Sequence, residues 1–388
     1  MDGKIIIDED KEYVAGTYAR FPVAFKEGKG CRLYDYDYKE YVDFGSGIAV
    51  DIFGVNDGEW KSAVIEQLNK VQHTSNLFYT EPQARLARLM CEKTGAKKVF
   101  FGNSGAEANE CAIKAARKYG ELKHGAARKE IITLKNSFHG RTLATLAATG
   151  QEEFHKYYGP FPAGFVYADP TLEGVESCIT EDTCAVMIEC IQGESGVNVL
   201  DKSFVQGLGK LCRERDILLI CDEVQTGNGR TGYMYAYQAY GISPDIVTTA
   251  KGLGGGLPIG ACMLFDKCKA VFGFGDHGST FGGNPVVCAG ACSVIGRIDE
   301  KLLSDVRKKG EYLMSELKKI DGVEEVTGMG LMIGIKTEKP AAEIAKKCIS
   351  KGLLVLTAHS KVRLLPPLII GKAEIDFAIK ILSEVISG

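Results

Sequence analysis

The sequence predicts an α/β protein, a mostly parallel sheet between helices with a smaller α+β region beside it, and three observations lead there. Between residues 94 and 265, short apolar runs alternate with amphipathic segments, the pattern of parallel strands joined by covering helices. The segments on either side lack that alternation. At 388 residues the chain also exceeds the length of one simple core, since domains commonly hold roughly 100–200 residues.

In chain order, Cys31–Phe44 alternates apolar and polar residues about a turn-rich centre and predicts an antiparallel hairpin. The strands expected next are Val99–Phe101, Glu130–Leu134, Cys184–Ile188, Ile217–Cys221, Ile246–Thr249 and Ile259–Leu264. Ala106–Tyr119 and Ser203–Arg215 carry helical spacing between them. After Pro285 a long helical stretch runs through Lys318, then come strand-like runs near Leu331–Ile335 and Leu353–Leu356, and a last helix from Glu374. The expected division is an N-terminal segment (1–54) packing with the small domain, a large domain (55–285) and a C-terminal small domain (286–388).

Composition excludes several partners. A net charge of −3 with acids and bases interspersed leaves no basic stripe for nucleic acid or an anionic membrane. The start, Met1–Asp10, turns acidic where a secretory leader is apolar, and no apolar run approaches the roughly 18 residues of a membrane span. A cytoplasmic protein is expected. The 13 cysteines are scattered, several within apolar runs, without C-x-x-C spacing or clustered histidines, so neither a disulfide framework nor a metal site is predicted. Two glycine-rich stretches, Gly227–Gly232 and Gly273–Gly278, satisfy G-x-G-x-x-G. Neither opens a helix within a βαβ unit, which argues against a dinucleotide site and leaves an NAD-dependent dehydrogenase as a remote alternative.

The chemistry is carried by residues beyond the predicted strand ends, where ligands bind in such sheets. Lys251 follows an apolar strand and precedes Gly252-Leu253-Gly254-Gly255-Gly256, while Asp222 ends another. An amine among apolar walls loses its proton readily enough to form a Schiff base. A carboxylate against a pyridine nitrogen keeps that ring an electron sink, so the pair suits pyridoxal 5′-phosphate. Gly102-Asn103-Ser104-Gly105-Ala106-Glu107 opens a helix whose free N–H groups suit a phosphate. The same residues also read as an ordinary cap, with Ser104 and Glu107 as a capping box. Phe138 can stack on a flat cofactor and Arg141 can grip a carboxylate.

Taken together, Ser75–Pro82, Asn103–Asn109, Phe138–Thr142, Asp222–Gly227 and His277–Pro285 resemble the class III pyridoxal phosphate aminotransferases of fold type I, over nearly the whole chain. The resemblance implies a seven-stranded large-domain sheet and a homodimer. It implies cofactor contacts at Ser104, Gly105, Ala106, Phe138, Asp222, Val224, Gln225, Lys251 and Thr280, with Lys251 and Asp222 catalytic. Substrate contacts fall to Arg141, Glu194, Ser279 and Arg363, with Ser279 and Thr280 supplied by the neighbouring subunit and Glu194 masking Arg363 in one half-reaction. The implied reaction moves an amino group from N2-acetyl-L-ornithine to 2-oxoglutarate, forming L-glutamate. Ornithine, succinylornithine, succinyldiaminopimelate and 4-aminobutyrate are the rival donors. Three departures stand out: Asp51 and Val55, within Val50–Gly58 where relatives commonly read V-N-x-L-G-H-x-H-P, and Cys190 where they commonly carry Pro.

Overall fold

In a computed structural model describing residues 2–125 and 128–388, with Met1 of the acidic start outside the described residues, the predicted alternation becomes one central sheet. The N-terminal strands are β1 (Phe25–Lys29), β2 (Arg32–Asp35) and β3 (Glu40–Asp43), antiparallel in sequence as the hairpin pattern requires. Then come β4 (Lys98–Gly102), β5 (Glu130–Leu134), β6 (Phe165–Ala168) and β7 (Thr183–Ile188). A small hairpin, β8 (Ile191–Gln192) and β9 (Asn198–Val199), precedes β10 (Leu218–Asp222), β11 (Ile246–Thr249) and β12 (Gly260–Leu264).

Seven of these form the sheet β4-β12-β11-β10-β7-β5-β6, parallel except that β12 runs against both its neighbours. Its inner strands are buried throughout, which is why β7, β10 and β11 read as continuous apolar runs rather than alternating ones. Strand β6 escaped the sequence reading. It is a four-residue edge strand paired only with β5 and follows a stretch with two prolines and a glycine, so its pattern is too short to register.

The C-terminal region holds β13 (Val323–Met329), β14 (Met332–Thr337), β15 (Leu353–Leu354), β16 (Leu356–Ala358) and β17 (Lys361–Leu364). Strands β13 and β17 were also unforeseen, because polar residues break their runs. The stretch expected to be one helix from Pro285 to Lys318 is two, Pro285–Arg297 and Glu300–Leu317. Asp299 causes the break: its carboxylate accepts the Leu302 N–H at 2.8 Å and caps the second helix. The last helix starts at Lys372, slightly before the expected Glu374. Strand β15 pairs in parallel with β3, so residues from both ends of the chain share one small sheet. Arg230 is fully buried and reaches from the segment between β10 and β11 to the Leu331 carbonyl at 3.0 Å and to the Pro366 carbonyl.

Candidate active site

Strands β10 and β11 lie side by side and parallel, with Asp222 opposite Thr248, so Asp222 and Lys251 emerge at the same carboxyl edge. Both line a cavity of about 640 Å³, a volume within the roughly 300–1,000 Å³ usual for small-molecule sites.

Lys251 does not simply continue its strand. It opens a tight turn, Lys251–Leu253, with φ +45°, a left-handed conformation that costs a long side chain on the order of 1 kcal/mol. Asn228 holds the preceding peptide in place, its Nδ2 donating to Thr249 Oγ1 at 2.9 Å and to the Ala250 carbonyl at 3.2 Å. The segment Gly227–Gly232, rejected as a nucleotide motif, is therefore the turn that braces the lysine. Burial lowers the Lys251 pKa, with Arg363 pushing the same way and the carboxylates of Glu194, Asp222 and Glu189 opposing.

Asp222 is held from three sides. Its Oδ2 accepts from Asn109 Nδ2 and from the His139 ring at Nδ1, each at 2.8 Å, and its Oδ1 accepts the Val224 N–H at 3.0 Å. Asn109 in turn donates to the His139 carbonyl at 2.7 Å and accepts from Thr248 Oγ1 at 2.6 Å. Neither Asn109 nor His139 was singled out from the sequence. A usable signal was there: Asn109 lies one helical turn beyond Gly105, on the same face of the helix Gly105–His124.

That helix begins at the cavity, and the N–H groups of Gly105 and Ala106 have no acceptor within it. Ser104 caps it by accepting the Glu107 N–H at 3.2 Å, as the sequence suggests. The capping box is shifted, however, because the Glu107 carboxylate takes the Asn103 N–H at 2.6 Å instead of that of Ser104. Gly105 is required by packing: a Cβ there would stand 2.7 Å from Val224 Cγ1. Phe138 and Val224 also line the cavity, and Glu189 fixes the Phe138 loop by accepting its N–H at 2.8 Å. Burial, reinforced by nearby Asp222, raises the Glu189 pKa well above the ordinary carboxylate value.

The donor set fits pyridoxal 5′-phosphate. Free helix N–H groups suit its phosphate, an apolar pair of side chains its ring faces, a carboxylate its pyridine nitrogen, and a lysine its carbonyl carbon.

Gln225, which lines the cavity, is bonded to a second charged group. Arg363 on β17 donates to Glu194 Oε1 at 2.8 Å and to Gln225 Oε1 at 3.1 Å, while Gln225 Nε2 donates to Glu194 Oε1 at 3.1 Å. Burial alone would raise the Glu194 carboxyl, but Arg363, with help from Lys251 and Gln225, outweighs it and holds the pKa below the usual value. Arg141, at the other side of the cavity, is exposed and lies over the Phe154 and Phe138 rings at 4.1 and 5.4 Å.

Ser279 and Thr280 do not join this group. Thr280 lines a separate small depression with His73, Ser75 and Asn76, and Ser279 Oγ accepts from Asn103 Nδ2 at 3.1 Å without lining the cavity itself. Of these departures, Cys190 is buried, Asp51 sits near Gly256, a residue of the cavity wall, and Val55 forms an isolated bridge with Gly30. Among the described residues no cluster of three or more His, Cys, Asp or Glu is placed to hold a metal ion, and no helix is long and apolar enough to cross a membrane.

Comparison with known proteins gives a consistent result. The family model described as "Aminotransferase class-III" matches residues 13–386. The acetylornithine aminotransferase of Haemophilus ducreyi is 50% identical over 382 residues, covering 97% of each chain. That of Methanocaldococcus jannaschii is 45% identical over 386 residues, covering 98% of this chain and 97% of its own. Among solved structures, the ornithine aminotransferase of Toxoplasma gondii superposes with a TM-score of 0.95 at 30% identity, covering 100% of this chain and 95% of that one. The acetylornithine aminotransferase of Elizabethkingia anophelis gives 0.89 at 30% identity, covering 100% and 99%.

Proposed function

The chain belongs to the class-III aminotransferase family, and from that premise we propose that it moves the terminal amino group of N2-acetyl-L-ornithine to 2-oxoglutarate. The products are N-acetyl-L-glutamate 5-semialdehyde and L-glutamate, a step of arginine biosynthesis, and the cofactor is pyridoxal 5′-phosphate. When bound, that cofactor supplies a carbonyl for the amine and a ring that takes up the electron pair released at the substrate carbon.

The chain's own residues then divide the work. Gly105 and Ala106 would offer N–H groups to the phosphate beside the Ser104 cap, and Phe138 and Val224 would hold the ring between them. Asp222, kept in place by Asn109 and His139, would hold the pyridine nitrogen, and Gln225 would hold the ring hydroxyl. Lys251, its amine favoured in the neutral form by burial, holds and moves the proton at the substrate carbon. Arg141 binds the α-carboxylate of the donor. Glu194 masks Arg363 while the donor's reacting end, which bears no carboxylate, occupies that side, then yields it to the carboxylate on the reacting carbon of glutamate or 2-oxoglutarate.

The single observation that carries the reading is that a lysine and an aspartate on adjacent strand ends line one cavity with Gln225, and Gln225 is bonded to an arginine already paired with its own acid. The smallest active unit is a homodimer in the cytoplasm. Support for the dimer comes from Ser279 and Thr280, which stay out of their own chain's cavity, and from exposed Leu77, Phe78, Tyr79 and Phe281 beside them in sequence motif and fold.

The test is the visible spectrum of the purified protein with pyridoxal 5′-phosphate, titrated with N2-acetylornithine and separately with ornithine. Loss of the yellow band at far lower acetylornithine concentration is the expected result. Preferential bleaching by ornithine or 4-aminobutyrate would reassign the donor, and failure to form any band would remove the role given to Lys251.

A further inference from the structure

Arg141 has no hydrogen-bond or ion-pair partner among the described residues, yet its guanidinium is not left to wander. Phe154 lies beneath it at 4.1 Å, and the Phe154 ring in turn stands edge-on to Phe138 with centroids 5.8 Å apart. Phe154 closes a short turn, Glu152–Phe154, that begins just after Gln151. Gln151 is buried, and its two amide ends go in different directions. Nε2 donates to the Ser137 carbonyl at 2.9 Å, within the loop that carries Phe138 and Arg141. Oε1 meets His359 Nε2 at 3.0 Å, and His359 also lies 3.4 Å from Glu153. His359 sits at the tip joining β16 to β17, with φ +49°, and β17 is the strand that carries Arg363.

We propose that Phe154 is a positioning residue for Arg141, and that His359 acts through Gln151 to hold the Phe154 turn, so that one small-domain hairpin sets both carboxylate-binding arginines. The physical reason is that an exposed arginine gives up side-chain freedom when it grips a carboxylate, and a ring face that holds it beforehand lowers that loss. The ring leaves all five N–H donors available, which an acidic partner would not. Arg363 is held by an acid and must be released, whereas Arg141 is held by a surface and stays ready. The proposal rests on the reading of Arg141 as the α-carboxylate site.

The experiment compares two donors on the holoenzyme: N2-acetylornithine, and N-acetyl-1,4-diaminobutane, which lacks the α-carboxylate. Phe154→Leu is expected to raise KM for acetylornithine about tenfold, the scale of a cation–π contact, with kcat changed less than about twofold. KM for the decarboxylated donor should stay within about twofold, and Phe154→Tyr, which keeps the ring, should behave like the parent. A binding measurement supports this without turnover: calorimetry with N2-acetyl-L-norvaline, which has the carboxylate but no transferable amine, should show the same tenfold weakening. His359→Ala should give about threefold in the same pattern, and the double variant should add nothing to Phe154→Leu.

An equal KM rise for both donors, no rise at all, or full additivity in the double variant would overturn the proposal. Arg141→Ala separates the two levels of inference. If it discriminates between the donors and Phe154→Leu does not, only the positioning role falls. If Arg141→Ala does not discriminate either, the α-carboxylate assignment falls, and the positioning role with it.

Discussion

The cavity has two ends that solve opposite problems. At the cofactor end, charge is fixed: Asp222 accepts three hydrogen bonds, two of its partners are themselves buried, and the lysine turn is braced from behind by Asn228. At the substrate end, charge is conditional. Arg141 is exposed over two rings, and Arg363, which reaches the cavity through Gln225, is buried against Glu194, the acid proposed above to move. The difference teaches where each kind of selectivity resides. A preorganised end supports one chemistry for every substrate, because its dipoles need no rearrangement at the moment of reaction. A conditional end lets one site accept a substrate end with no carboxylate and another that bears one.

The largest effect should come from breaking the fixed end. Lys251→Ala is expected to lower turnover by at least about 10⁴-fold, the upper range for loss of a positioned proton carrier. Removing this amine should not unfold the protein, because burial already disfavours its charged form and so weakens any ion pair with the nearby carboxylates. The check is single-turnover kinetics alongside a melting curve, and retained turnover within tenfold would contradict the assignment. Asp222→Asn should follow at about 10²–10³-fold, because the geometry survives but the charge facing the ring nitrogen is lost. An equal loss from Asn109→Ala would show that geometry, not charge, is what Asp222 provides.

How much of this was legible in the sequence differs between the ends in the same way. Lys251, Asp222 and the Gly105 helix start could be read because each follows an apolar strand, and local pattern alone places them at one sheet edge. The family resemblance named Glu194 and Arg363, and the structure joins them at 2.8 Å across a large sequence separation. The supporting residues were less legible. Helical spacing from Gly105 points to Asn109, but His139 and Asn228 act through contacts with residues elsewhere along the chain, and no periodicity encodes such a contact. Strands β6, β13 and β17 were missed for a related reason: they are short or polar, and their neighbours rather than their own residues make them strands.

A smaller effect should come from the conditional end. With Glu194→Ala, Arg363 loses its acid partner and presents a bare charge to whichever substrate end arrives. The ratio of kcat/KM for glutamate to that for N2-acetylornithine should rise about tenfold, the size of one charge-assisted hydrogen bond. Stopped-flow measurement of the two half-reactions reads this directly. An unchanged ratio would mean that the pair is structural and that selectivity is set elsewhere.

Asp51 offers the smallest effect and the sharpest test of the fixed end, because it breaks that end's rule. It is a partly buried carboxylate beside Gly256 with no hydrogen-bond partner among the described residues, preceded by a turn in which Ser46, Gly47, Ile48 and Ala49 all have positive φ. Burial, with Asp43 nearby, raises its pKa from 3.8 to about 6. A carboxyl raised in this way favours the folded state in its protonated form. That contribution is fully present below pH 3.8 and lost as the pH rises through about 6. At pH 8 the ionised group is therefore a liability of about 1–2 kcal/mol after allowing for its partial contact with solvent. Asp51→Asn, which keeps the shape and removes the charge, should raise the melting temperature at pH 8 and leave it unchanged at pH 4. A gain of equal size at both pH values would show that shape rather than ionisation matters at this position, and a loss at pH 8 would show that the charge has a partner in the assembled enzyme.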